Sequence, residues 1–198
     1  MSELPVALTI AGSDSGGGAG IQADLLTFAA FDVFGTTALA GLTAQNPDGV
    51  SAIEKISPAF VREQIVQVGR FFKVRAVKTG MLTDAPTIHA VADALQTDFF
   101  KDVPLVVDPV MVSTSGARLL DEAALGALKE RLFPQAALVT PNLDEAAVLL
   151  GGEKATQATL EKQAVQLARM LKAPVLLKGG HLPGSLLTDV LADTNGVL

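Results

Sequence analysis

The chain has 198 residues, enough to bury a sizeable hydrophobic core, and this length favours a single domain over residues 1–198. Hydrophobic residues make up 49% and charged residues 18%, a globular rather than a disordered composition. The formal net charge of -6 argues against nucleic acid and anionic membranes as partners. Because the sequence has no cysteine, disulfide frameworks, thiolate chemistry and Cys-ligated zinc are excluded.

Neither a targeting peptide nor a membrane span is predicted. Glu3 stands where a signal peptide would carry positive charge. The charge-free stretch 33–47 is interrupted by Gly, Thr, Gln and Asn, whereas a span needs roughly 20 apolar residues. We therefore expect a soluble cytoplasmic protein.

Short apolar runs alternate with segments of helical period along the whole chain. The predicted strands are 6–10, 37–42, 75–78, 105–108, 137–140, 175–178 and 186–191. Helical spacing joins Val61, Ile65, Val68 and Phe72; Ile88, Val91, Ala92 and Leu95; and Leu160, Ala164, Leu167 and Leu171. Strands that are apolar on both faces and separated by helices predict a three-layer α/β domain with a parallel sheet.

The predicted strands end in a recurring way, with a polar residue before a chain breaker. Asp108 precedes Pro109, Thr140 precedes Pro141, and Lys178 precedes a glycine pair. Ligands bind at the carboxyl ends of strands in open parallel sheets. We therefore expect the functional site at this edge. At the end of the chain, the turn signal 193–196 predicts a hairpin whose return strand starts at Val197.

A glycine-rich segment, AGSDSGGGAGIQAD at 11–24, lies between the first strand and the first helix. Glycines permit close backbone approach, and amides at a helix start attract anions. No Lys-Ser/Thr pair follows, so the segment is not a Walker A loop. Positions 18–23 match the dinucleotide fingerprint, but no carboxylate follows the second strand until Asp48, which argues against a dinucleotide-binding domain. A tight turn required for packing remains an alternative.

Together with LTAQN (42–46), KTGML (78–82), VVDPVM (106–111), TPNLDEA (140–146) and LLKGGH (176–181), this segment resembles the hydroxymethylpyrimidine phosphate kinases of the ribokinase-like superfamily. The resemblance implies a three-layer αβα fold with a mostly parallel central sheet, and a homodimer. It also implies the use of ATP and Mg²⁺. The implied reaction phosphorylates 4-amino-5-hydroxymethyl-2-methylpyrimidine, and then its monophosphate, in thiamine biosynthesis.

The same resemblance implies that Asp24, Gln45, Met81 and Val110 contact the pyrimidine, with Gly12 beside it. The residue types suit that role, because a carboxylate accepts from an exocyclic amine and a Gln amide both donates and accepts. Met and Val offer apolar surface to a flat ring. The alternatives are that Asp24 favours the positive end of its helix and that the two apolar residues belong to the core.

Asn142 and Glu145 have the spacing of a capping box at a helix start. It is also the NxxE spacing that ribokinase-like enzymes use around magnesium and nucleotide phosphates. We expect Asn142 on the nucleotide side, and Glu145 and Asp108 near Mg²⁺ through water. Lys178 ends an apolar strand, and either a phosphate or a structural ion pair with a nearby acid would satisfy its charge.

The sequence departs from the family after KGGH. Relatives carry a GTGC or GTGD segment there, whose amides form the anion hole and whose Cys or Asp is the proposed base; no such motif occurs in these residues. We therefore expect that the fold lacks its C-terminal part, that the catalytic base and anion hole lie beyond Leu198, and that 198 residues alone have little kinase activity. The alternatives are a pyridoxal/pyridoxine kinase and a non-catalytic pyrimidine-binding module.

Overall fold

The computed structural model describes residues 4–111, 120–180 and 187–198. The strands in this part of the chain are β1 (Val6–Asp14), β2 (Phe34–Asn46), β3 (Gly49–Lys55), β4 (Val74–Thr79), β5 (Leu105–Val107), β6 (Leu138–Val139), β7 (Val175–Leu177) and β8 (Val190–Ala192). They form one sheet in the order β3-β2-β1-β4-β5-β6-β7-β8, with the outermost strands β3 and β8 antiparallel to their neighbours and the others parallel. The predicted mostly parallel sheet is thus confirmed.

Helices connect the parallel strands: α1 (Gly20–Ala30), α2 (Pro58–Phe71), α3 (Ala85–Leu95), α4 (Glu122–Ala127), α5 (Leu143–Leu150) and α6 (Leu160–Leu171). Sequence signals fix several starts. Ser57 and Asp84 each accept an amide hydrogen three residues on, and each precedes a proline in the first turn. The three predicted helical patterns correspond to α2, α3 and α6. Their apolar positions pack in the core or against it.

The crossovers distribute the helices over both faces of the sheet. The connection from β1 through α1 leads to β2 on one side, whereas the connection through α2 leads back across β1 to β4 on the other side. Because such crossovers are right-handed, α1 and α2 lie on opposite faces. This three-layer arrangement agrees with the expected fold class. Within the described residues, no helix is long and apolar enough to cross a bilayer.

The second strand is longer than predicted, and strand β3 was missed. Residues 43–46, expected to follow the strand, belong to β2 and pair with β3 in an antiparallel hairpin. Six of the seven residues of β3 are exposed, so no buried face imposes an alternating pattern that the sequence could reveal. The hairpin extends the sheet beside the carboxyl end of β1.

The carboxyl end of the chain forms the predicted turn. The backbone N–H of Asp193 donates to the Gly196 carbonyl, and Val197 pairs with Ala192 of β8. The strand itself starts at Val190, later than the predicted residue 186, which lies outside the described residues. His181, the last residue of the KGGH motif, also lies outside them.

Candidate active site

A cleft of about 800 Å³ opens at the carboxyl ends of the parallel strands, the edge that the sequence predicted. Its walls come from the glycine-rich turn, α1, the β2–β3 hairpin, and the loops after β4 and β5. All five residues predicted to contact the pyrimidine line it: Gly12, Asp24, Gln45, Met81 and Val110. Asp108, predicted to lie on the magnesium side, lines it too.

The amides of the glycine-rich turn bind the carboxylate of Asp14, a residue of the turn itself. One Asp14 carboxylate oxygen accepts from the amide of Gly16 at 2.8 Å, and the other accepts from Gly18 at 3.0 Å and Ala19 at 2.9 Å. Asp14 is 6% exposed, so its charge is satisfied almost entirely by these amides. These three amides, which lie just before α1, therefore already bind a carboxylate from within the chain. The turn builds a wall of the cleft.

Gln45 is anchored to this wall by its backbone. The hydroxyl of Ser15 donates to the Gln45 carbonyl and accepts from the Gln45 amide, both at 2.8 Å. The Thr43 hydroxyl donates to the Ser13 carbonyl at 2.9 Å and also lies 3.2 Å from the side-chain oxygen of Gln45. With its oxygen towards Thr43, Gln45 has its side-chain NH₂ as the group to donate to a ligand.

Asp24 is held by two groups from neighbouring strands. Lys78 Nζ lies 3.0 Å from each Asp24 oxygen, and the Thr9 hydroxyl donates to Asp24 Oδ2 at 2.6 Å. Thr9 of β1 and Lys78 of β4 are direct partners in the sheet register, so the parallel pairing places them side by side beneath α1. Asp24 is 13% exposed and Lys78 27%, and both line the cleft.

Met81 folds over Gly12. A Cβ atom at Gly12 would lie 2.5 Å from Met81 Cε, closer than any side chain tolerates without moving. The glycine therefore leaves room for the thioether at the cleft surface. Val110 adds apolar surface after β5. This combination suits a flat ring, as expected from the residue types.

Asp108 and Lys178 connect the cleft to the second half of the chain. Lys178 Nζ lies 3.0 Å from Asp108 Oδ1, with the two side chains 37% and 22% exposed. The ion pair considered as an alternative for Lys178 is thus present. Asn142 forms an isolated parallel bridge with Lys178, which brings these two predicted nucleotide-side residues together. Neither of them is among the residues that line the cleft.

Glu145 completes a capping box. Its Oε2 accepts from the Asn142 amide at 2.8 Å, while the Asn142 side chain accepts from the Glu145 amide at 2.9 Å. Its Oε1 accepts from the Met111 amide at 3.2 Å. Glu145 is 2% exposed, and this burial raises its pKa; the Asn142 amide opposes the shift, nearby Asp108 adds to it, and Lys178 and the Met111 amide oppose it.

These contacts bear on the predicted magnesium role. Within the described residues, no cluster of three or more His, Cys, Asp or Glu side chains could hold a metal ion. Magnesium commonly keeps several waters and takes one or two carboxylates together with substrate phosphates. Asp108 fits such a site because it is partly exposed and lines the cleft. Both Glu145 oxygens already bind amides, so its role near the metal stays a prediction.

Sequence reasoning gave no role to Lys78, Thr9 or Asp14. Lys78 had an available signal, because it occurs near the end of a strand and shortly before a glycine, as Lys178 does. Its partner Asp24 lies 54 residues away in the chain, and only the sheet register reveals the pair. Asp14 is close in sequence to the three amides that it binds, but these hydrogen bonds depend on the shape of the turn, which no sequence pattern specified.

Two solved structures share this fold over nearly the whole chain. A phosphomethylpyrimidine kinase from Clostridium difficile, 38% identical, covers 98% of this chain and 83% of its own with a TM-score of 0.85. A pyridoxal kinase from Bacillus subtilis, solved as an ADP complex and 34% identical, covers 99% of this chain and 74% of its own with a TM-score of 0.86. Fold and cleft together therefore define the class as small-molecule kinases of the ribokinase-like fold.

The family follows from the sequence. The model of the phosphomethylpyrimidine kinase family matches residues 14–198. The hydroxymethylpyrimidine/phosphomethylpyrimidine kinase of Rhizobium meliloti is 49% identical over 95% of this chain and 70% of its own length. The thiamine biosynthesis bifunctional protein ThiED of Geobacter sulfurreducens is 50% identical over 94% of this chain, which spans 38% of that protein. The chain belongs to the phosphomethylpyrimidine kinase family.

Proposed function

We propose that the cleft binds 4-amino-5-hydroxymethyl-2-methylpyrimidine and its monophosphate, the substrates of an ATP-dependent kinase of thiamine biosynthesis. The observation that carries this proposal is that the Asp24 carboxylate and the Gln45 side-chain amide line the same cleft. Met81 and Val110 give that cleft its apolar surface. An aminopyrimidine needs an acceptor for its amine, a donor for a ring nitrogen, and apolar contact for its faces. The names of the relatives agree with this substrate class.

Different residues of the cleft would orient the ring and set its depth. Asp24 and Gln45 orient the ring by its polar edge, and the Gly12–Met81 contact sets the depth at which the ring lies. The hydroxymethyl group would then lie towards the loop after β5, where Asp108 meets Lys178. Holding the acceptor oxygen in this position is the main contribution such an enzyme makes to phosphoryl transfer.

ATP would supply the phosphoryl group, and Mg²⁺ would offset its negative charge. Lys178 and Asn142 are the residues proposed to hold phosphate oxygens, and Asp108 the one proposed to hold the hydrated metal, with Glu145 behind it. Lys178 and Asp108 are partly exposed, as these roles require. From the family resemblance we further propose a cytoplasmic homodimer.

Calorimetry on the 198-residue chain tests the proposed substrate. We expect the aminopyrimidine to bind without ATP, and Gln45→Leu to weaken binding by roughly tenfold, since a hydrogen-bond donor to the ring is lost. Gln67→Leu, an equivalent change on the exposed side of α2, is the control and should leave binding unchanged. Absence of aminopyrimidine binding by the unaltered chain would refute the proposal.

A pyridoxal kinase is the second candidate, because the B. subtilis pyridoxal kinase superposes on this chain as closely as the C. difficile phosphomethylpyrimidine kinase does. Pyridoxal carries a phenolic oxygen and an aldehyde where the pyrimidine carries a second ring nitrogen and an amine. The carboxylate of Asp24 favours the amine. Pyridoxal binding at least as tight as aminopyrimidine binding in the same calorimetry would reverse the order of the two candidates.

A further inference from the structure

Thr9 and Lys78 form a polar floor beneath Asp24, and the predicted substrate contacts leave this floor without a role. Thr9 is fully buried between the apolar residues Leu8 and Ile10 of β1, and its hydroxyl makes a 2.6 Å hydrogen bond to Asp24. Lys78 is partly buried in β4, next to the buried Val77. Buried or half-buried polar groups in sheet interiors need partners, and both of these residues find theirs in one carboxylate.

The geometry fixes the carboxylate more firmly than a single ion pair would. Lys78 Nζ is equidistant from Asp24 Oδ1 and Oδ2, at 3.0 Å each, and Thr9 bonds Oδ2. A carboxylate offers about four acceptor positions. Two contacts fall on Oδ2 and one on Oδ1, so Oδ1 keeps the larger remaining capacity to accept a hydrogen from a ligand.

The charges of Asp24 and Lys78 also determine which ligand groups can bind beside them. Asp24 and Lys78 form a pair with no net charge, and both face the same cleft. A neutral ring with an amine can bind there without introducing an unpaired charge. An anionic group would add a third charge beside the carboxylate, at a position partly shielded from water. The paired floor therefore suits the uncharged amino edge of a ring rather than a phosphate.

We propose that Lys78, with Thr9, is a positioning residue that fixes Asp24 so that the site discriminates ligands by their exocyclic amine. This inference rests on the proposed function, because it takes an aminopyrimidine as the ligand. Lys78 acts through Asp24: it holds the carboxylate in one rotamer and supplies its counter-charge. Without Lys78, Asp24 can turn away and the amine loses its acceptor.

The test compares two ligands by calorimetry on the 198-residue chain: the aminopyrimidine and 5-hydroxymethyl-2-methylpyrimidine, which lacks the amine. The ratio of their dissociation constants measures how much the amine contributes to binding, independently of the overall affinity. In the unaltered chain we expect a ratio of roughly ten or more, the usual worth of a hydrogen bond to a charged group. In Lys78→Met we expect the ratio to fall towards one.

Three further variants distinguish positioning from general damage. Lys78→Arg keeps a cation that can bond both Asp24 oxygens and should preserve most of the ratio. Thr9→Val keeps the shape, removes the 2.6 Å hydrogen bond, and should lower the ratio by a smaller factor even if Lys78→Met fails to fold. Lys55→Met breaks a 3.0 Å Lys–Asp pair outside the cleft and should leave the ratio unchanged.

The outcomes separate cleanly. If the unaltered chain does not bind the aminopyrimidine, the proposed function fails and this inference fails with it. If the unaltered chain discriminates the two ligands and both Lys78→Met and Thr9→Val discriminate equally well, only the inference is overturned. A parallel loss of affinity for both ligands, with the ratio preserved, would also overturn it, because it would show a structural role alone.

Discussion

Glu145 places a carboxylate where water hardly reaches it, 2% exposed at the start of α5. Burial raises its pKa above the ordinary value of 4.5 although two backbone amides and Lys178 favour the charged form. The folded chain therefore holds this proton to a higher pH than the unfolded chain does. Protonated Glu145 contributes stability that is fully present below pH 4.5 and is lost as the pH rises through the folded-state pKa.

Urea unfolding at a series of pH values checks this sign. The free energy of unfolding of the native chain, minus that of Glu145→Gln, is expected to fall as the pH rises above 4.5 and then to level off. The subtraction removes carboxylates that act in the opposite direction, such as Asp84. Burial alone would raise the pKa of Asp84, but its hydrogen bonds to Thr87 and Lys55 lower it. A difference that rises with pH would contradict the prediction.

At the residue scale, the sequence predicted which residues line the cleft better than it predicted the groups that support them. Asp24 and Gln45 were identifiable because they occur in motifs, and both line the predicted cleft. The support of Asp24 by Thr9 and Lys78 depends on strand register, which no local pattern encodes. For the same reason, the sequence left both a phosphate contact and an ion pair open for Lys178. The observed ion pair with Asp108 joins residues 70 positions apart.

At the scale of elements, the turn between β1 and α1 is held by an internal acceptor. Asp14 binds three amides, whereas the N-cap Asp121 of α4 binds one amide among the described residues, that of Ala124. Glycines 16 to 18 have no side chains that could hold the turn, so the Asp14 carboxylate supports it together with the backbone hydrogen bond from Gly17 to the Asp14 carbonyl.

Replacing these two acceptors should therefore give unequal losses of stability. Asp121→Ala is expected to lower the free energy of unfolding by about 1 kcal/mol, the usual effect of losing an N-cap. Asp14→Ala should lower it by about 2 kcal/mol, because three amides lose a charged acceptor at once. Urea unfolding measures both variants, and a smaller loss at Asp14 than at Asp121 would show that the turn does not need its anion.

The elements themselves were predicted unevenly. The helices α2, α3 and α6 follow from apolar spacing because each buries one face in the core. The strand β3 could not be found, because its residues face water and its pairing with β2 depends on the hairpin. Strand ends were reliable markers: Asp108, Thr140 and Lys178 each directly follow the last residue of a strand.

At the scale of the whole molecule, three amides close to the helix starts beside the cleft already have acceptors. In the described part of the chain, the amides of Gly18 and Ala19, just before α1, donate to Asp14, and that of Glu145 in the first turn of α5 donates to Asn142. An anion hole for the transferring phosphoryl group needs amides that are not bonded elsewhere. The family's GTGC or GTGD segment would provide them.

A polypeptide of residues 1–198 is therefore expected to phosphorylate the pyrimidine at least about a hundredfold more slowly than one extended by that segment. Release of ADP measures the turnover of both. Calorimetry provides the control, because the two polypeptides should bind the pyrimidine with similar affinity. Equal turnover would mean that the cleft stabilises the phosphoryl group by some other route.

Sheet order also has a consequence for biosynthesis. Strands β1 to β5 are complete by Val107 and lie next to one another as β3-β2-β1-β4-β5, with the cleft residues from Ala11 to Val110 at their ends. A ribosome adds about 5–20 residues per second, whereas small mixed α/β domains fold within about a second. The nascent protein can thus assemble the walls of its cleft while the rest is still being translated. Asp108 is in place before Lys178 leaves the exit tunnel.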